Sequence, residues 1–345
     1  MAKRFAPVSP ARLWLTRIAV IGVLLTGIVV ALGAWTRLVD AGLGCPDWPG
    51  CYGSITVPLS ERAIARASEL YPEQPLVAAK AWPEMIHRHF AKAIGLLCVI
   101  MAVLALRARR EPDMPVKHAV FLLALVCLQG AFGAWTVTMK LFPPVVTGHL
   151  LLGFTTFTTL FLLALRLSPF LRASGQAAMR GLMPLVLLSL AVVIMQIALG
   201  GWTASNYAAT MCTALPVCEG GWTQVLDWQE AFTIHTYAGT TYEFAPHLDA
   251  AAKVTIHVAH RIGAWITLGV VGLLVLLLWM RAGSERYRRF ALMLGGVLLL
   301  QVLLGISNVV FHLPLAVAVA HNFVALLLVQ VLVALVYSLR QEGRV

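Results

Sequence analysis

The chain has 345 residues, 60% of them hydrophobic and only 12% charged. So little charge cannot cover the surface of a water-soluble protein of this length. The formal net charge of +11 would suit nucleic acid if it were gathered into one patch, but it is divided among separate loops.

Eight apolar runs succeed one another, at 14–35, 85–106, 118–138, 145–166, 182–204, 254–280, 289–310 and 315–338. Each holds about 20 residues or more, the length that crosses a bilayer as a helix. In lipid the backbone must satisfy its own hydrogen bonds, which excludes isolated strands. The alternating segments of about ten residues that build a membrane β-barrel are absent. The expected fold is an all-α polytopic membrane protein. The first run follows basic residues, as a signal peptide does, but exceeds the roughly 7–15-residue apolar core of one. It also ends in a "GAWT" that returns at Gly133–Thr136.

Basic residues alternate from loop to loop. Lys3, Arg4, Arg12 and Arg17 lie at the first run, and Arg107, Arg109, Arg110 and Lys117 lie between the second and third. Arg166, Arg172 and Arg180 follow the fourth, Arg281, Arg286, Arg288 and Arg289 follow the sixth, and Arg340 and Arg344 end the chain. The other loops, over far more residues, hold only Arg37, Arg62, Arg66, Lys80, Lys140 and Lys253. The positive-inside rule then puts both termini in the cytoplasm and the long loops, 37–83 and 205–253, on the outer side. The partner that this charge implies is anionic membrane lipid, with no nucleic acid.

Each long outer loop carries a cysteine pair: "AGLGCPDWPGC" holds Cys45 and Cys51, and "TMCTALPVC" holds Cys212 and Cys218. Outside the cytoplasm disulfides persist, and a Pro-containing gap of five residues can turn the chain enough to join the two sulfurs. Thiol exchange is the alternative use of such a pair. Cys98 and Cys127 fall inside apolar runs and read as packing. Trp48, Tyr52, Trp82, Tyr207, Trp222, Trp228, Tyr237 and Tyr242 crowd the same loops, as aromatic residues do at a membrane interface.

The chain is built twice. "EMIHRHFAKAIG" and "HVAHRIGAWITLG" align His87 with His260 at an offset of 173 residues. His149 and His321, like Gln129 and Gln301, are 172 apart, and the cysteine pairs are 167 apart. "LGAWT", "FGAWT", "LGGWT" and "LGISN" close runs one, three, five and seven, with small residues that allow helices to approach closely. Four helices per half leave both halves in one orientation, related by a pseudo-twofold axis along the membrane normal. The expected domains are two four-helix bundles, 1–175 and 176–345.

His87, His149, His260 and His321 sit a few residues inside the starts of runs two, four, six and eight, all at one shallow depth of the outer leaflet. Ionisable residues within a membrane are costly and mark function. Two imidazoles on different helices of one bundle can ligate a haem iron from both sides. No compact tetrahedral Cys/His set in the membrane points to zinc. Arg88 and Arg261 follow two of the histidines; each is expected either to pair with a haem propionate or to snorkel to the surface. The halves differ at one place: Glu84 precedes His87 by three residues, where the second half has His257. A carboxylate beside one site alone points to proton transfer there. His89, His118, His235, His247 and His312 are expected to be solvated or off the ligand face.

"TRLVDAGLGCPDWPGCYG", the E-x-x-H-R of Glu84–Arg88, the "GHLLLG" around His149, the "HRIGA" at His260 and the "AHN" at Ala320–Asn322 together resemble haem A synthase over nearly the whole chain. The resemblance implies oxidation of the C8 methyl group of haem O to a formyl group by two successive hydroxylations and loss of water. It implies haem O as substrate at His87, His149 and Arg88 with Glu84 catalytic, and a cofactor haem b at His260, His321 and Arg261. It implies that Cys45 and Cys51 matter for activity. It implies haem O synthase and terminal-oxidase assembly factors as partners, an unidentified electron acceptor, and a bacterial-type inner membrane. A di-haem electron-transfer cytochrome is the alternative, and a transporter a third. Glu84 in one half only favours the enzyme over the cytochrome, and the transporter is disfavoured because no Gly- or Pro-broken pair of helices is seen at the midplane. The repeat and the following Arg favour His260 over His257 as the second half's ligand.

Overall fold

Ser9 starts the first helix. Its hydroxyl accepts from the Arg12 N–H at 3.2 Å, and Pro10 takes the first turn, where a missing N–H is harmless. The structure, a computed structural model, describes residues 9–168, 175–236 and 240–342. Lys3, Arg4, Arg172, Tyr237 and Arg344 lie outside them.

The helices are α1 (Pro10–Leu38), α2 (Glu61–Leu70), α3 (Ala78–Arg107), α4 (Val116–Thr138), α5 (Pro143–Leu167), α6 (Met183–Ser205), α7 (Trp228–Phe232), α8 (Ala250–Arg281), α9 (Glu285–Val310) and α10 (Leu315–Gln341). A 3₁₀ segment, Ala177–Leu182, leads into α6. Among the described residues eight helices are long and apolar enough to cross a membrane, and the one β-bridge is Cys51 to Ser54. Their outward faces carry Leu24, Leu96, Met195, Trp265, Leu292 and Leu299, all exposed, as a lipid solvent requires.

The spans outrun the apolar pattern at the end that carries the cystine loops. α3 begins at Ala78 and α8 at Ala250, against expected starts of 85 and 254. Hydropathy marks the lipid-facing length, whereas these first turns are helical without being uniformly apolar. α2 has no apolar run and was not expected. It is held by a Ser60 cap accepting from the Ala63 N–H at 3.2 Å and by helix-favouring Ala, Glu, Arg and Leu.

The packing order repeats. α1, α3, α4 and α5 form a closed ring, each touching the next, and α6, α8, α9 and α10 form another. The rings meet where α1 lies on α10, α5 on α6, and α5 on α10. Gln330 on α10 donates to the Thr158 hydroxyl on α5 at 3.0 Å. These positions are 172 apart, so a residue touches its own counterpart, the pairing expected beside a pseudo-twofold axis. Arg37 likewise donates to the carbonyl of Ala204, its counterpart in the second half, and stacks 3.9 Å over the Tyr207 ring. Positive φ angles recur at Asp40 and Tyr207, and at Lys140–Leu141 and His312–Leu313.

Apolar side chains fill the end of each bundle that carries the termini. Leu15, Met101, Leu122, Leu160 and Leu163 are buried in the first, and Leu274, Leu278, Leu294, Leu332 and Leu335 in the second. Phe154, Phe157 and Leu326 close the junction. The polar residues singled out above therefore collect at the opposite end.

Candidate active site

Both cysteine pairs are bridged, Cys45 to Cys51 and Cys212 to Cys218, each with Cα atoms 4.8 Å apart. Each loop has a cis proline four residues after its first cysteine, Pro49 and Pro216. Tyr52 lies buried beneath the first loop, where burial, then Glu84 and Asp47, push its hydroxyl pKa up.

One arginine from the helix below latches each loop. Arg88 Nη1 donates to the Asp47 carbonyl at 2.8 Å and to that of Gly50, while Nη2 donates to Glu84. Arg261 Nη1 donates to the carbonyls of Ala214 at 2.6 Å and Val217 at 2.8 Å, and Nη2 to that of Cys212. Both arginines are 7% exposed, so neither snorkels. A planar guanidinium with several fixed donors can span a loop's carbonyls where an ammonium cannot.

Glu84 and His257 occupy equivalent places in these latches. Glu84 Oε2 accepts from the Cys45 N–H at 2.8 Å, and Oε1 accepts from Arg88. His257 Nδ1 faces the Cys212 N–H at 3.1 Å, and Nε2 faces Arg261 Nε at 3.2 Å. A carboxylate accepts from both donors. A neutral imidazole has one acceptor nitrogen and satisfies one at a time. Both His257 nitrogens are thus turned toward the latch, which leaves His260 as the second half's inward-facing histidine.

The four histidines of the repeat are seated alike. A Cβ at Gly33 would lie 2.9 Å from His87 Cε1, at Gly133 3.3 Å from His149 Cε1, at Gly200 3.1 Å from His260 Cε1, and at Gly305 3.1 Å from His321 Cε1. The recurring Gly of "LGAWT", "FGAWT", "LGGWT" and "LGISN" is therefore the seat of an imidazole on the neighbouring span. Within each half the two rings are in electrostatic range of each other. All four rings are deeply enclosed by protein, yet each keeps accessible surface. They border internal space instead of being packed on every side.

The residues fit a haem in each bundle. His149 Nδ1 lies 3.3 Å from Gln129 Nε2, and His260 Nδ1 lies 3.0 Å from Gln196 Nε2. Among the described residues no hydrogen bond reaches their Nε2 atoms. His87 Nδ1 and His321 Nδ1 are buried without a partner. Two enclosed imidazoles to a bundle, three of the four with a glutamine amide at one edge, are the kind of donor set that suits a haem iron held by two histidines.

Other candidates lie elsewhere. His118, expected to be solvated, is half-buried with Nε2 2.9 Å from the Thr159 carbonyl. His89 contacts the Met85 carbonyl of its own helix. His235 and His247 lie near each other in the second loop, with His235 2.9 Å from Glu230. Cys98 is buried, as expected of packing, but Cys127 is exposed on the outer face of α4. A cleft of about 650 Å³ between the loops is lined by Asp40, Tyr71, Lys80, Lys140 and Glu243, and by none of the four histidines. Periodicity could not have found the latches. The one signal for them was the Arg that directly follows the repeated histidine in each half, Arg88 and Arg261.

Two bundles, each with paired, glycine-seated histidines beneath a latched cystine loop, define a duplicated membrane protein of eight spans. The chain belongs to the COX15-CtaA family, described as cytochrome oxidase assembly protein, which matches residues 16–333. Relatives bearing the name Heme A synthase span nearly all of it. That of Shewanella oneidensis is 49% identical over 94% of this chain and 96% of its own length. That of Beijerinckia indica is 29% identical over 95% and 92%, and that of Nitrosospira multiformis 27% identical over 99% and 96%.

Proposed function

We infer that this protein makes haem A, oxidising the C8 methyl group of haem O to a formyl group by successive hydroxylations. Family membership supports the reaction. The observation that carries the assignment of halves is the pair of matched sites that differ at Glu84 and His257. The first bundle, within 1–175, receives haem O at His87 and His149. Glu84, one helical turn before His87, accepts a proton released at the reacting edge. The second bundle, within 176–345, holds haem b at His260 and His321, where His257 offers no carboxylate. A b haem there supplies one-electron transfer. Arg88 and Arg261 close the outer edge of each pocket by fixing the loop above it, and their remaining N–H groups suit propionates.

The basic loops support an inner-membrane orientation with both termini cytoplasmic and the cystine loops outside. Haem O synthase is the source of substrate, terminal-oxidase assembly factors receive the product, and electrons leave to an acceptor of unidentified class. The test is pigment extraction after expression in a host that makes haem O but no haem A. Haem B together with haem A, or with a hydroxylated haem O, is the expected content. Haem B alone, despite available haem O, would favour a di-haem electron carrier.

A further inference from the structure

Three of the four imidazole seats carry a second device. Four residues before Gly133, Gly200 and Gly305 stand Gln129, Gln196 and Gln301. One helical turn separates Gln from Gly, so each amide reaches the ring that the glycine seats. Gln129 Nε2 also donates to the His149 carbonyl at 3.0 Å, and Gln196 Nε2 to the His260 carbonyl at 2.9 Å. Gln301 Nε2 lies 3.3 Å from His321 Nε2. The amides are themselves accommodated: a Cβ at Gly263 would lie 2.1 Å from Gln196 Oε1, and one at Gly153 3.3 Å from Gln129 Nε2.

The fourth seat lacks this. Four residues before Gly33 is Val29, whose side chain has no polar group. His87 has only the Val29 backbone at that edge, and its Nδ1 makes no hydrogen bond of good geometry.

We propose that Gln129, Gln196 and Gln301 are positioning residues that hold the planes of His149, His260 and His321, and that Val29 leaves His87 as the one histidine of the four free to turn, and so to release a bound haem. The Oε1 atoms of all three glutamines are buried without a partner. Turned over, each amide presents this oxygen to an Nδ1–H, which would leave the Nε2 lone pair for iron; at Gln129 and Gln196 the turn exchanges the bond to the histidine's own carbonyl for the bond to its ring. At His321 a half-turn of the ring gives the same arrangement. The first bundle then offers one fixed and one unfixed ligand. That asymmetry suits a site whose occupant must arrive as substrate and leave as product, while the second bundle fixes both ligands of a resident group. The proposal rests on the assignment of substrate to the first bundle.

The test uses the purified full-length protein carrying its own haems, with transfer of haem to apomyoglobin followed by absorbance. Val29→Gln is expected to slow release from the first bundle at least fivefold, and Gln129→Leu to speed it by a similar factor. Neither changes the second bundle. Val29→Leu, which adds bulk without an amide, is expected to match the parent. Gln196→Glu is expected to lower the midpoint potential of the second haem and Gln196→Leu to raise it, with altered low-spin electron-paramagnetic-resonance positions in both. A merely structural glutamine would not give opposite signs. Unchanged release in Val29→Gln and Gln129→Leu, with both pockets verified by loss of one haem each in His87→Ala and His260→Ala, would overturn the proposal alone. Full haem retention in both alanine variants would overturn the pocket assignment and the proposal with it.

Discussion

Gly33 lies so close to His87 that a single added methyl group would stand 2.9 Å from the ring's Cε1. Real Cβ atoms do not approach that closely, so ring or helix must move. The same relationship links Gly200 to His260 at 3.1 Å. Each imidazole is aimed by the absence of a side chain on the neighbouring span.

Gly33→Ala is therefore expected to empty the first pocket selectively, and Gly200→Ala the second. Overpacking of this kind costs about 1–3 kcal/mol, enough to misplace a ligand without unfolding eight spans. Gly269→Ala is the control, because nothing lies within 4 Å of its Cβ position. Haem-to-protein ratios and the low-spin spectrum of each purified variant decide it. Equal haem in all three would mean that the seats do not matter.

Glu84→Gln keeps shape and removes the proton acceptor. It is expected to leave resident haem b in place while haem A formation falls by about 10²-fold or more, the usual scale for general acid–base catalysis. Haem A is read by chromatography of extracted pigments. His260→Ala or His321→Ala is expected to remove the b-haem spectrum. Equal loss of haem in Glu84→Gln would show that the carboxylate serves the latch alone.

The latches make a separate prediction. Arg88→Leu strands the Glu84 carboxylate and frees the Asp47 and Gly50 carbonyls; breaking a buried pair in this way costs about 3–5 kcal/mol. The Cys45–Cys51 bridge is expected to become reducible by mild thiol, with Cys212–Cys218 unchanged, and Arg261→Leu reverses the pattern. Arg88→Lys does not rescue, since one ammonium cannot reproduce the fork. Mass-spectrometric mapping of alkylated cysteines after mild reduction measures both.

Glu219 supplies a pH dependence confined to the second loop. Hydrogen bonds from the Thr213 hydroxyl and N–H, and from the Ala214 N–H, hold its carboxyl down at about 2 from an ordinary value of 4.5. A depressed folded pKa gives stabilisation that is complete above the unfolded value and lost as pH falls through the folded one. Protection of the Thr213 and Ala214 amides is expected to decline from about pH 4.5 to about pH 2. The effect is small because the group is exposed. Glu219→Gln is expected to abolish this dependence in amide-exchange measurements; an unchanged profile would place the titration elsewhere.

Spans, duplication and the four histidines were legible because each leaves a local trace: an apolar run, a repeated phrase, an ionisable residue where lipid forbids one. α2 was not legible in a search for apolar runs, since its ten residues are amphipathic and polar on average and it is capped by Ser60. The arginines were noticed because each directly follows a repeated histidine, but their partners are loop carbonyls 41 and 47 positions away in sequence. No spacing rule reports a side chain that reads another segment's backbone.

The sequence by itself determined the class of fold, the twofold repeat, the paired cysteines of the long loops and the histidines placed at matching depths within the spans. Lipid and covalent chemistry constrain these residue by residue. Only the tertiary structure decided that both nitrogens of His257 face the latch while the ring of His260 sits against Gly200. It also showed that the recurring glycines are imidazole seats, and that Val29 leaves His87 without the amide its three counterparts have. Those facts depend on which helix faces which, a consequence of packing two closed rings against each other that no single segment encodes.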